Sequence, residues 1–232
     1  MSVRIRAFIV PAGLAAALAC APAWSLPSGP LPSPGSASAS STAGPAANPA
    51  AVAVYNAGVA IMKRADTLEA KARGQHGAAR TRLENSARSV YGKAHAKFLE
   101  ATQRDPGLPE AWNNLGYTAR RTGRYEDALI AYARALALRP DYPQALEYRG
   151  EAYLHLYRLE SAKQAYMDLF VTDRAVADHF LRVMRRWVAA ERGRPGPHAA
   201  AVATFAKWVA ERSGIAAQTA SLTRAGTAAS WR

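Results

Sequence analysis

The chain has 232 residues, half of them hydrophobic, which is enough apolar material for one core of ordinary size. Its single cysteine, Cys20, excludes an internal disulfide framework and a cysteine-cluster zinc site, so stability has to come from packing. A formal net charge of +13 raises the question of anionic partners at once.

Residues 1–23 start with Arg4 and Arg6, run through an apolar stretch broken by Pro11, and close on Ala21-Pro22-Ala23. This arrangement resembles a bacterial secretory signal with its small-residue cleavage site. The apolar run is too short and alanine-rich for a membrane span, which needs roughly 20 apolar residues. The expectation is cleavage, no transmembrane span afterwards, and a periplasmic or secreted protein. Cys20 offers an alternative, lipid attachment, although Ala17-Leu18-Ala19 before it matches a lipobox weakly. Residues 24–50 are almost wholly Pro, Ser, Gly and Ala and read as a disordered linker, because such a composition buries too little apolar surface to offset the entropy of ordering.

From residue 51 the chain repeats itself. Shifting residues 110–142 by 34 places Ala111 on Ala145, Trp112 on Leu146, Gly116 on Gly150, Arg124 on Arg158, Ala128 on Ala162 and Tyr132 on Tyr166. The period, with Trp112, Leu115, Gly116, Ala128, Tyr132, Ala135 and Pro140, resembles the tetratricopeptide repeat, a helix-turn-helix unit. Ala119 departs from the pattern. The unit at 143–176 departs further, with Arg149, Leu169 and, at the turn glycine, Tyr157. Such drift suits a terminal repeat.

An earlier unit spans about 51–108. Its second helix carries Tyr91, Ala94, Phe98, Ala101 and Pro106 at the same 34-residue offset, but Tyr55, Asn56 and Gly58 align with Asn113, Asn114 and Gly116 only at 58. The first repeat therefore holds 24 extra residues. With the break at Gly74-Gln75-His76-Gly77, the simplest accommodation lengthens both helices by 12 residues, or roughly 18 Å at 1.5 Å per residue. Lys71, Arg73, Arg80, Arg82 and Arg88 would then sit on a basic finger.

Beyond the repeats, Val176, Phe180, Val183 and Trp187 step along one helical face, with Arg182, Arg185 and Arg186 on others. Val202, Phe205, Trp208 and Val209 form a second stripe. Both are expected to be capping helices within 177–212, ahead of a flexible tail at 213–232. The fold class expected is all-α: a tetratricopeptide-type helix-hairpin solenoid at 51–176, with units at 51–108, 109–142 and 143–176.

Charge is uneven. Residues 51–108 hold ten Lys or Arg against five acids, 109–173 eight against nine, and 174–232 ten against three. No nucleic-acid-reading motif accompanies this basicity, and a secretory signal argues against such a partner. The histidines, His76, His95, His155, His179 and His198, lack metal-ligand spacing, and phosphate-binding glycine loops are missing. A non-catalytic protein without cofactor or metal is the expectation.

The resemblance implies where binding would occur. In tetratricopeptide domains the first helices of successive units line a concave groove for a protein or peptide partner. By position that groove would include Asn56, Asn113, Asn114, Tyr117, Arg120, Arg121, Glu147, Glu151, Leu154 and His155. The alternative is an electrostatic binder of anionic envelope components, acting through the basic finger and the basic C-terminal helices.

Overall fold

The computed structural model describes residues 47–229, with side chains through 219. The signal, most of the linker and Cys20 lie outside the described residues. Those described form helices joined by short turns, with no strand among them: α1 (Pro49–Arg73), α2 (Gly77–Arg104), α3 (Pro109–Arg121), α4 (Tyr125–Leu138), α5 (Pro143–His155), α6 (Leu159–Thr172), α7 (Arg174–Glu191) and α8 (Ala199–Ala229). Consecutive helices pack as hairpins. Each new first helix lies against the second helix before it, and α5 and α7 also touch the preceding first helix.

Helix starts follow from local chemistry. Proline occupies the first position of α1, α3 and α5, where its missing N–H costs nothing and its fixed φ suits a helix. Asn48 caps α1 by accepting from Ala50 N at 2.9 Å, and its own backbone N donates to Asp105 beyond α2. The folded region thus begins inside the segment expected to be linker. Asp173 caps α7 by accepting from Val176 N.

The extra residues of the first repeat are helical: α1 has 25 residues and α2 has 28, against 13 and 14 in α3 and α4. Ala65, Ala87 and Tyr91 pack together at the base of the extension. α8 is a correction. It runs to Ala229, through residues expected to be a flexible tail, because this alanine-rich stretch contains no proline, and its two glycines, Gly214 and Gly226, each weaken a helix by about 1 kcal/mol without ending it.

A glycine notch and an aromatic plug set how closely helices approach. A Cβ on Gly58 would lie 2.8 Å from Phe98, and one on Gly116 2.6 Å from Tyr132. In the third hairpin the plug changes: Gly150 is filled by Phe180 of α7, while Tyr166 turns edge-on to Trp208 of α8 at 5.6 Å. A first helix can thus be plugged from its own hairpin or from the next.

The turn between α3 and α4 uses Gly123 at φ +83°. Its counterpart, Tyr157, adopts φ +54°, a conformation costly for a side chain with a Cβ. Compensation is visible in its contacts. The Tyr157 hydroxyl donates to Glu191 at 2.8 Å, and its ring stacks on His198 at 4.1 Å and meets Trp187 edge-on, tying this turn to the one between α7 and α8.

Gly116→Ala is expected to cost about 1–3 kcal/mol through overpacking against Tyr132. Gly92→Ala in α2, where an added Cβ meets nothing within 4 Å, is expected to stabilise by about 0.5–1 kcal/mol. Equilibrium urea denaturation of the two variants measures both, and equal effects would refute the notch.

Candidate functional site

The first helices α1, α3, α5 and α7 are linked by an unbroken file of side-chain contacts. Between α1 and α3, Asn114 Nδ2 donates to the Tyr55 hydroxyl at 3.2 Å, and Asp66 Oδ1 accepts from Tyr117 at 2.9 Å and from Tyr91 of α2 at 2.5 Å. Arg121 is ion-paired with Glu69. Between α3 and α5, Arg120 Nη1 donates to Glu151 at 2.5 Å, and the Tyr117 and Tyr148 rings lie 5.3 Å apart. Between α5 and α7, Glu147 pairs with His179.

Arg120 sits at the centre. It is 7% exposed, and its guanidinium lies over the rings of Tyr117 and Tyr148 at 5.4 and 5.1 Å. Burial is the largest effect and works against its charge, but the Glu151 carboxylate together with the Tyr132 and Tyr117 hydroxyls outweighs it, and its proton is held more tightly than usual. Burial lowers the Arg121 guanidinium, opposed by Glu151 and Asp66. Burial also raises the hydroxyls of Tyr91 and Tyr117, and the charge of Asp66 adds to it. Tyr142 is pushed up to about 12 by burial and by Glu110.

The expected groove residues therefore divide. Asn113, Arg120, Glu147 and Leu154 are buried. Asn113 donates its amide N–H to the adjacent Asn114, Leu154 is part of the apolar core, and the two charged groups are held by Glu151 and His179, so Arg120 and Glu147 join one repeat to the next. Asn114, Tyr117, Arg121 and Glu151 are half-buried, and each already has an intramolecular partner. His155 is exposed and stacks flat on Tyr125 at 4.5 Å. Asn56 is exposed in the first repeat, where no earlier repeat among the described residues faces it.

Asp66, Glu69, Tyr55, Tyr142 and Tyr148 belong to this face and were missed by sequence reasoning. Asp66 and Glu69 lie in the insertion, where repeat alignment assigns no position. Their signal is chemical: two acids one helical turn apart inside an otherwise basic segment. They fix the base of the extended hairpin to α3. Arg88 at that base and Lys71, Arg73, Arg80 and Arg82 beyond it are all exposed, with Arg80 paired to Glu84. Arg73, Arg88 and Arg121 border a cleft of about 410 Å³ that also holds Glu69 and Glu84. Arg182, Arg185 and Arg186 are exposed on α7.

Among the described residues no group of His, Cys, Asp or Glu could hold a metal ion, and no helix is long and apolar enough to cross a membrane.

Residues 109–142, comprising α3 and α4, match the family model described as Tetratricopeptide repeat. The chain carries a tetratricopeptide repeat. Its architecture is the helix-hairpin solenoid of such repeats. Two solved structures illustrate the likeness. The first TPR of Spaghetti (RPAP3), bound to HSP90 peptide SRMEEVD, is 22% identical over 55% of this chain and 95% of its own, with a TM-score of 0.40. MamA is 18% identical over 71% of this chain and 89% of its own, with a TM-score of 0.41.

Two predictions follow from the pairing between repeats. Glu151→Ala strands the buried Arg120 and is expected to cost about 3 kcal/mol or more, whereas the double variant Arg120→Met, Glu151→Leu is expected to recover most of that loss. A double-mutant cycle in urea decides it. Burial raises the Glu147 carboxyl above its ordinary value, against the opposing effect of His179. The folded state then binds this proton more tightly than the unfolded chain, so the group's contribution is complete below the unfolded pKa and is lost as pH rises through the folded one. Glu147→Gln should therefore gain on the parent as pH rises from the ordinary carboxylate range to neutrality, read from denaturation midpoints across that interval.

Proposed function

We propose that this protein is a non-catalytic scaffold of the bacterial cell envelope that holds a protein or peptide segment on the face made by its first helices. The observation that carries the reading is the row of half-buried tyrosines, Tyr55, Tyr117, Tyr142 and Tyr148, running across α1, α3 and α5. Tyrosine offers a large rigid surface with a polar tip and loses little entropy on contact, which favours it in binding surfaces.

Electrostatics narrows the ligand. Asp66, Glu69, Glu147 and Glu151 are set on this face against Arg120 and Arg121, with His179 at its edge. With the histidine neutral the balance is acidic, in a protein that is strongly basic overall. A segment bearing Lys or Arg fits such a face better than one ending in an acidic tail. Export rests on residues 1–23 and lipid anchoring on Cys20.

The second reading, binding of anionic envelope components, draws on the exposed arginines of the extended hairpin and of α7.

The two separate experimentally. Segments selected from a displayed peptide library against the purified protein are expected to lose about tenfold in affinity on Tyr148→Ala, by fluorescence anisotropy, and to be indifferent to Arg82→Glu. Loss on Arg82→Glu alone, together with steep salt dependence, would transfer the function to the extended hairpin.

A further inference from the structure

The stacking rule of the solenoid leaves one seat empty. α5 lies against α4 and α3, and α7 against α6 and α5, so each first helix occupies the groove of the hairpin before it. By the same rule the groove between α7 and α8 is where a further first helix would lie. No described element of the chain covers it.

The groove is there in shape. Two adjoining hollows of about 590 and 610 Å³ share Val188, Arg192, Ala206 and Ala210. Val202 and Val209 contribute to the apolar floor, and Ala203 and Ala210 are exposed along α8. Repeat register agrees with the geometry. Arg185 and Val188 stand at twice the 34-residue offset from Tyr117 and Arg120, the α3 residues that touch the next first helix at Tyr148 and Glu151.

The rim decides what fits. Arg185, Arg192 and Lys207 are exposed beside the floor. The acid there, Glu191, is engaged by Arg194 at 2.9 Å and by the Tyr157 hydroxyl. The groove therefore has an apolar, small-residue bed and a cationic border.

We propose that the α7–α8 groove receives an amphipathic helix of another protein, apolar on one face and flanked by Asp or Glu. Large side chains of that helix would fill the space above the alanines, as Phe180 fills the notch at Gly150. Its carboxylates would meet Arg185, Arg192 and Lys207. About 13 residues, the length of α3 and α5, would cover the groove. A second copy of this chain is a poor occupant. Its exposed end helices belong to residues 51–108, with ten basic residues against five acids, and would bring like charge to a border drawn from a region with ten against three.

The test uses the full chain and two synthetic peptides with the same leucine face, one flanked by glutamates and the other by lysines, followed by fluorescence anisotropy. The glutamate-flanked peptide is expected to bind at least about tenfold more tightly, with an affinity that falls as salt rises. Ala210→Arg, placed on the floor, should abolish binding while thermal unfolding by circular dichroism stays that of the parent. Should that variant fail to fold, Arg192→Glu serves in its place: it should weaken the glutamate-flanked peptide and strengthen the lysine-flanked one. Equal binding of both peptides, or binding indifferent to Ala210→Arg and Arg192→Glu, would overturn the proposal. So would sedimentation showing self-association that Ala210→Arg dissolves, which gives the groove to a second copy, or binding to anionic phosphatidylglycerol vesicles that Ala210→Arg abolishes with no peptide binding, which gives it to lipid.

Discussion

Everything in this molecule depends on an α-helical hairpin being unable to bury both of its faces. A pair such as α3 and α4 closes one seam internally, with Tyr132 seated over Gly116, and leaves apolar surface on either side. Stacking is the way to remove that surface from water, so the hairpin must be repeated and the repeats must approach closely. The small residues Ala111, Ala128, Ala135, Ala145 and Ala162, all fully buried, are what permit the approach. Gly150 shows that the requirement belongs to the seam rather than to the hairpin: when Tyr166 is drawn away to Trp208, Phe180 from the following helix fills the notch instead.

Polar chemistry is laid over this packing. Arg120 with Glu151 puts a buried charge pair between adjacent repeats, and Glu147 with His179 a polar contact, where hydrophobic contact alone would tolerate sliding. Buried ion pairs add little net stability, because desolvation offsets their attraction, but a mismatched register would leave a buried charge without its partner at a cost of several kcal/mol. The pairs therefore act most strongly against wrong stackings. Tyr157 extends the same logic to a turn, accepting an unfavourable φ so that its hydroxyl and ring can clasp α7 and the turn before α8.

Legibility in the sequence follows this division. The 34-residue offset, the all-helical class and the break at residues 74–76 were readable because packing imposes periodicity, and periodicity survives in a single chain. The roles of Asn113, Arg120 and Glu147 were not. Repeat position says that a side chain lies on the first-helix face, but whether it points to a ligand or into a neighbouring repeat depends on the partner facing it, and those partners are non-local. Arg120 meets Glu151, 31 residues on, and Tyr117 meets Asp66, 51 residues back inside the insertion. The length of α8 was missed for the opposite reason. Its last turns follow from local helix propensity, whereas the expectation of a flexible tail rested on the small, polar residues beyond Arg212 and their terminal position.

The same constraint explains why the ends of the solenoid differ from its middle. The interior repeats are close to neutral, with eight basic residues against nine acids in 109–173, and the charge buried at their seam, Arg120, is matched by Glu151. Among the described residues nothing packs on the outer side of the end units, and excess charge exposed there costs little. At the first repeat the excess sits on helices lengthened well past the seam, tied back to α3 by Asp66 and Glu69 at their base. At the last it borders an apolar groove. Like charge at both ends opposes head-to-tail stacking of identical copies, which the repeat geometry would otherwise invite. The same positive charge that opposes a second copy would favour the acidic-flanked helix proposed for the α7–α8 groove.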